Sequence, residues 1–183
     1  MLKKTLKEIL YRWRVRTGFI CILLAIVLSR ATPLSLLGGV GICILGLLLR
    51  TWGCGHLRKE KELTCSGPYR FTRNPLYLAN LIIGISIVVA SWTWWVVGIF
   101  FVYFLTFYPL VLMREREKMK MLFPEEYEEF RKKVPFFFPL FGRTCASNGN
   151  RFSLDIYKKN REFRALLGAV AFWLAITVKM IIF

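Results

Sequence analysis

The side chains able to do chemistry in this chain are gathered into two stretches. Between Arg50 and Tyr77 lie His56, Arg58, Tyr69, Arg70, Arg73, Asn74 and Pro75, with Gly53, Gly55, Gly67 and Pro68 permitting turns and close backbone approach. Between Met113 and Pro135 lie Glu115 and Glu117, then Pro124, four glutamates and the basic run Arg131 to Lys133. A loop loaded with Arg, Asn, His and Tyr at the edge of apolar sequence is costly unless those groups meet partners, and it has the shape of a binding site. His56 is the only histidine, which excludes a His-rich metal site. Gly38-Gly-Val-Gly41 has neither a preceding strand nor a completing glycine, so a dinucleotide-binding reading fails and close helix packing explains the small residues. The five cysteines show no paired spacing and are expected to pack rather than to ligate.

The elements that position these stretches are set by a composition at once apolar and basic. Of 183 residues 56% are hydrophobic, yet 27 Lys and Arg face 11 Asp and Glu, a net charge of +16. The charges fall in blocks: no charged side chain occurs from Asn74 to Met113 or from Ala31 to Leu49. Since about 20 apolar residues cross a bilayer as a helix, the first run suffices for two crossings and the second for one. The expected fold is all-α, a polytopic membrane protein with five transmembrane helices. They are centred on Thr17 to Ser29, Pro33 to Leu49, two within Leu76 to Leu112, and Ala165 to Phe183. The cluster from Ser91 to Trp95 reads as the tip of the hairpin inside the long run, because tryptophan favours the interface. Lys179 is expected to snorkel.

Basic residues counted by loop orient the bundle. Six precede the first crossing, six lie from Arg50 to Arg73 and thirteen from Arg114 to Arg164, leaving only Arg30 and Lys179 at the opposite helix ends. The positive-inside rule then places the N-terminus and both long segments in the cytoplasm and the C-terminus outside. The charge reads as a topology signal and a contact with anionic lipid, with no nucleic acid partner. No small-x-small cleavage site follows Ser29, so the first helix is expected to be retained.

Within the second stretch, Pro124, the glutamates after it and the basic run at its end predict a helix matched to its own dipole. Tyr127, Phe130 and Val134 share one face at helical spacing, and Glu125 to Glu129 are expected on a solvated face. The run Phe136 to Phe141 is expected to anchor at the membrane surface.

The order Ser66-Gly-Pro-Tyr69-Arg70-Phe-Thr-Arg73-Asn74-Pro75-Leu-Tyr77, then a helical hairpin, then Glu115-x-Glu117, Phe123-Pro-Glu-Glu-Tyr127, Val134-Pro135 and Phe138-Pro139, resembles the isoprenylcysteine carboxyl methyltransferase and phospholipid methyltransferase superfamily. The resemblance covers roughly residues 50 to 139. It implies one membrane-embedded domain over residues 1 to 183, with a motif-bearing core at about 50 to 140 and a C-terminal interfacial and transmembrane helix at about 152 to 183. It implies a cofactor pocket formed by cytoplasmic loops 50–76 and 113–140, S-adenosylmethionine as cofactor, and transfer of a methyl group to a lipophilic or small acceptor bearing a carboxylate, amine or thiol. It further implies catalytic roles for Arg73, Glu115 and His56, and cofactor contacts from Tyr69, Arg70, Asn74, Pro75, Tyr77, Glu117 and Arg58. No metal is implied. Two positions depart from the superfamily pattern: Asn74 stands where histidine is usual, and Arg116 interrupts the usual pair of glutamates. Asn still donates and accepts hydrogen bonds, so cofactor binding tolerates the change more easily than proton transfer does.

Two other readings compete. One is a membrane reductase of sterol-reductase-like architecture using a nicotinamide cofactor, which the short chain disfavours. The other is a non-catalytic lipid-binding membrane protein, suggested by Asn74 and Arg116. The expected location is the plasma membrane of a prokaryote, with an endoplasmic-reticulum membrane as the alternative.

Overall fold

The computed structural model describes residues 2–58, 61–139, 145, 149–160 and 162–182, with side chains from residue 8 onward. The described chain is built from helices: α1 (Leu2–Leu28), α2 (Pro33–His56), α3 (Pro75–Ser91), α4 (Trp94–Leu122), α5 (Pro124–Lys133), α6 (Leu154–Lys159) and α7 (Phe163–Ile182), with a 3₁₀ turn at Gly67–Arg70. Among the described residues, α2, α4 and α7 are long and apolar enough to cross a bilayer, and α3 is a shorter apolar helix of 17 residues. At about 1.5 Å per residue α3 falls a little short of a roughly 30 Å hydrocarbon core. The charges of α1 fall within its first fifteen residues, leaving only its C-terminal part continuously free of charge. Five apolar helices therefore lie where five crossings are expected, but length and composition qualify three of them.

Two boundaries differ from the sequence reading. Arg50 to His56 form the last turns of α2 rather than a loop, and α4 continues past the apolar run to Leu122, so Glu115 and Glu117 are helical. The helix-forming tendency of Leu, Arg, Lys and Glu carries each helix beyond its apolar part. The hairpin between α3 and α4 turns at Trp92, whose φ of 48° is left-handed, and Trp92, Trp94 and Trp95 are exposed at its tip.

The packing of α2 on α3 organises the bundle. Gly39, Gly46 and Gly53 recur every seven residues on one face of α2. A Cβ on Gly39 would lie 2.9 Å from the Ala90 Cβ and the Ser86 carbonyl oxygen, and one on Gly46 would lie 2.7 Å from Ile83 Cγ1 and 3.2 Å from the Ala79 carbonyl oxygen. Small residues here let backbones meet, as the glycine-rich run suggested. Gly41, by contrast, faces open space. At the far end, Ser35 in the first turn of α2 donates its hydroxyl to the Ala90 carbonyl, and Arg30 N–H donates to the Ser91 carbonyl.

The last helix is docked by two cations. Lys179 does not snorkel: its Nζ donates to the carbonyls of Ile26, Val27 and Ser29 at 2.6–2.9 Å, satisfying the C-terminal end of α1. At the other end Arg50 Nε lies 2.6 Å from Glu162 Oε2 and Nη2 lies 3.2 Å from Oε1, while Nη1 donates to Asn80 Oδ1. This bidentate pair is mostly buried, with side chains 21% and 11% exposed, and it ties α2, α3 and the start of α7 together.

Two outcomes are expected. Gly46→Val should cost about 1–3 kcal/mol of unfolding free energy in micelles by forcing α2 from α3, whereas Gly41→Ala should be neutral or stabilising by up to about 1 kcal/mol. Glu162→Ala should cost about 3 kcal/mol by stranding a buried guanidinium, and the double change Arg50→Met with Glu162→Leu should recover most of that loss. Denaturant unfolding followed by helical circular dichroism measures all four.

Candidate functional site

The loop end of the bundle carries a cavity of about 640 Å³, within the usual range for small-molecule sites of roughly 300–1,000 Å³. Its outer part is walled by the segment after α2, the turn before α3, the end of α4 and α5; its inner part runs between α1, α3 and α4. Helix starts, caps and turns aim the polar groups at this space. Pro75 opens α3 at its first position, which leaves Arg73 and Asn74 on the non-helical approach. Gly67, with φ of 56°, turns the chain so that Pro68 and Tyr69 are buried; a Cβ there would meet the His56 ring at 2.5 Å.

Seven of the ten candidate residues line the cavity: Arg58, Tyr69, Arg73, Asn74, Pro75, Tyr77 and Glu115. Arg73 donates from Nη1 to the Tyr127 hydroxyl at 3.4 Å, and its guanidinium carbon lies 5.1 Å from the Phe136 ring centroid. Arg73 Nε is buried without a hydrogen-bond partner, as are Thr64 Oγ1 and Arg58 Nε, and all three residues line the cavity. Arg58 Nε lies 3.3 Å from Glu62 Oε1 without the geometry of a hydrogen bond. Glu115, on the last turns of α4, has no ion-pair partner among the described residues. Burial first, then nearby Cys54, Glu115 and Glu162, push the Tyr69 phenol well above its ordinary range, so it stays a neutral donor.

Asn74 holds the N-cap position of α3, but its side chain makes no capping bond. Its Nδ2 donates to the Phe136 carbonyl at 2.8 Å, while Arg73 N–H donates to the Pro135 carbonyl and Thr72 Oγ1 to the Phe137 carbonyl at 2.6 Å. The two sequence stretches are thereby zipped along residues 72–74 and 135–137, and Phe136 becomes part of the cavity wall. Leu140 and Phe141, expected to anchor with it, lie outside the described residues. The predicted helix α5 is present, with Tyr127, Phe130 and Val134 buried against Leu63, Met119 and Phe123.

Three candidates lie elsewhere. His56 is 7% exposed and does not line the cavity; its Nδ1 is 3.1 Å from Ser66 Oγ and its ring meets Phe152 edge-on at 6.2 Å. From the end of α2 the ring thus pegs together the loop at Ser66 and the segment at Phe152. Arg70 turns to the Cys145 carbonyl at 3.2 Å, and Glu117 is exposed on α4. Cys65 packs beside Cys145 against the α5 cluster; burial, and then the hydrogen bond its thiol makes to Cys145, push that thiol up to about 12, which keeps it unreactive.

The cavity also gathers residues that the motifs did not mark: Arg14 of α1, Arg50, Asn80, Tyr103, Tyr108 and Glu162. Their separation in sequence hides them; an Asn80 within an apolar run and an Arg50 at the end of another were the available signals. Among the described residues no three His, Cys, Asp or Glu side chains gather to hold a metal ion.

Comparison with known proteins adds the family. The model of the phospholipid methyltransferase family matches residues 13–126, from α1 through the Arg73 and Glu115 regions into α5. The cobalt-zinc-cadmium resistance protein CzcN of Cupriavidus metallidurans is 34% identical over 137 residues, 69% of this chain and 62% of that protein. The nickel-cobalt-cadmium resistance protein NccN of Alcaligenes xylosoxydans xylosoxydans is 34% identical over 84 residues, 45% of this chain and 38% of that protein. The chain thus spans less than two thirds of the length of these curated relatives. No solved structure matches. With helices fit to cross a bilayer and a family model covering well over half of its residues, this chain is an integral membrane protein that belongs to the phospholipid methyltransferase family.

Proposed function

We propose that this protein is an S-adenosylmethionine-dependent methyltransferase acting on a lipophilic or small acceptor, with five membrane crossings and the loop end of the bundle in the cytoplasm. The observation that carries the cofactor reading is the pair of buried donors without partners, Thr64 Oγ1 and Arg73 Nε, which stand with Arg58 in a cavity that also holds Glu115. A buried donor without a partner is costly, and a ligand carboxylate satisfies it.

Arg73 and Arg58, with Thr64, would hold the cofactor carboxylate, Glu115 its ammonium, and the faces of Tyr69, Tyr77 and Phe136 its sulfonium and adenine. When bound, S-adenosylmethionine supplies an electrophilic methyl group. The protein's own contribution is to fix the acceptor in line with that methyl and to exclude water, which is mostly positioning and desolvation. The zip of Asn74 to Phe136 holds Arg73 and Phe136 in one wall. Because His56 lies outside the cavity and Asn74 is engaged by a carbonyl, neither serves as a base; the acceptor reaches the site already nucleophilic, as a carboxylate does at neutral pH.

The inner cavity, where Val15, Phe107, Val111 and Leu112 line the space between α1 and α4, supports entry of an apolar acceptor from the bilayer. Lys179 bonding the C-terminal end of α1 brings the ends of α1 and α7 together, in keeping with an odd number of crossings. The prokaryotic plasma membrane remains the preferred location. The relatives' names concern metal resistance; we infer that a link to metal tolerance in this chain would run through methylation of a membrane component.

Calorimetric titration of purified protein with S-adenosylmethionine tests the reading. Wild type is expected to bind in the micromolar range, and Arg73→Ala and Glu115→Ala each to weaken binding about tenfold or more, a loss of about 1.5–3 kcal/mol for a charged hydrogen bond. His56→Ala should lower thermal stability while leaving cofactor affinity within about twofold of that of the folded wild type. Absence of binding by folded wild type would sink the proposal, and saturable binding of a reduced nicotinamide cofactor instead would favour the reductase.

A further inference from the structure

The seam between α1 and α4 holds a charge arrangement that the cofactor reading does not use. Arg14 of α1 and Arg114 of α4 both stack on the ring of Tyr11, their guanidinium carbons 4.2 and 4.1 Å from its centroid. The two cations are therefore separated by at most about twice that distance. Neither Arg14 nor Arg114 enters any ion pair among the described residues, although Glu8 lies one turn before Tyr11 and Glu115 follows Arg114 in sequence. A ring face attracts a guanidinium but leaves its planar fork of N–H donors unclaimed, and two like charges on one ring repel unless an anion bridges them.

The place is well defined. Tyr103 of α4 donates its hydroxyl to the Arg14 carbonyl at 3.3 Å, and it approaches so closely because residue 18 is glycine: a Cβ there would lie 3.0 Å from that hydroxyl. Arg14 thus stands at a fixed helix crossing, with Arg114 exposed beside it. Next to it Trp13 is 51% exposed, with Arg16 stacked on its ring at 5.3 Å, the pattern of a membrane interface. Below it in α1, Val15 and Phe19 are exposed apolar side chains, and Val15 and Arg14 also rim the cavity.

We propose that Tyr11, Arg14 and Arg114 form a headgroup site for an anionic phospholipid, whose phosphate bridges the two guanidinium groups and whose chains lie along Val15 and Phe19. The Tyr11 hydroxyl supplies a further donor to the same oxygens. A single-charge phosphate diester answers both requirements of this seam: an anion for two guanidinium forks, and an apolar body on an exposed helix face at the interface. This site rests on the placement of α1 and α4 in a bilayer and is independent of methyl transfer. Arg14 and Val15 belong both to this site and to the inner wall of the cavity, so its occupant lies beside that wall.

The test uses the full chain released from mixed micelles of phosphatidylcholine and phosphatidylglycerol, with retained lipid counted by native mass spectrometry and cofactor titration run on the same samples. One phosphatidylglycerol per chain is expected to survive in preference to phosphatidylcholine. Arg14→Gln with Arg114→Gln should reduce its retention about tenfold, and Arg114→Lys, which keeps the charge but loses the planar fork, should fall between. Arg12→Gln with Arg131→Gln removes the same charge outside the stack and should retain the lipid. Equal retention by the Arg14 and Arg114 double variant, or equal loss in the Arg12 and Arg131 control, would overturn the site as a specific one. Displacement by millimolar inorganic phosphate would overturn the lipid assignment in favour of a free oxyanion. If Arg14→Gln with Arg114→Gln does not fold, Arg114→Lys against the control decides alone. Lipid retention is read separately from cofactor affinity, so failure of one proposal leaves the other standing.

Discussion

The close approach of α2 to α3 is the constraint on which the remainder of the molecule depends. With no hydrophobic gradient between a helix and lipid, association relies on contact, and contact at backbone distance needs glycine. Gly39 and Gly46 supply it against Ser86, Ala90, Ala79 and Ile83. Once these two helices lie together, Arg50 at the end of the seam reaches Asn80, and Glu162 closes the pair from the approach to α7. The same seam fixes where α2 ends and α3 begins, and so where the connection bearing Arg58, Tyr69 and Arg73 must stand. Gly53, one repeat further, keeps Leu76 and Pro68 close below that connection.

Electrostatics divides this membrane protein by depth. Near the loop end the charged groups have partial partners and solvent; along α5, Glu128 is shared by Lys120 and Arg131, whose bonds lower its pKa. Such exposed pairs contribute little to stability. Within the bundle two ions have designated partners: Glu162 for Arg50, and the terminal carbonyls of α1 for Lys179. The cavity lies between these regimes, and there the unpartnered donors accumulate. Protein groups left unsatisfied beside a cavity mark where ligand groups complete the hydrogen bonding.

Much of the architecture was legible because bilayer thickness couples helix length to runs of uncharged residues. The break at Trp92, the start of α3 at Pro75 and the face of α5 formed by Tyr127, Phe130 and Val134 all follow from local rules. The ends of α2 and α4 did not, since helical propensity continues past the point where hydrophobicity stops. His56 stood out as the only histidine, yet its environment of Ser66, Phe152 and Gly67 depends on loops distant in sequence. Asn74 drew notice only as a departure from the superfamily's histidine, and its bond to a carbonyl 62 residues away depends on tertiary packing. Lys179 looked like a snorkelling side chain, but the free carbonyls of a neighbouring helix were a nearer partner than water.

The residues alone determined the class of molecule, an apolar helical bundle, because burial in lipid imposes composition on every stretch of about 20 residues. They also determined which two stretches hold the polar groups, since motif spacing is local. Which of those groups face one space was decided only by tertiary packing: the zip of residues 72–74 to 135–137 brings Arg73 within reach of Tyr127 and Phe136, and the glycine seam brings Arg50 and Asn80 into the same cavity. The physical reason is that a side chain's direction around a helix is set by its own sequence, whereas its partner depends on how closely a second helix is allowed to approach.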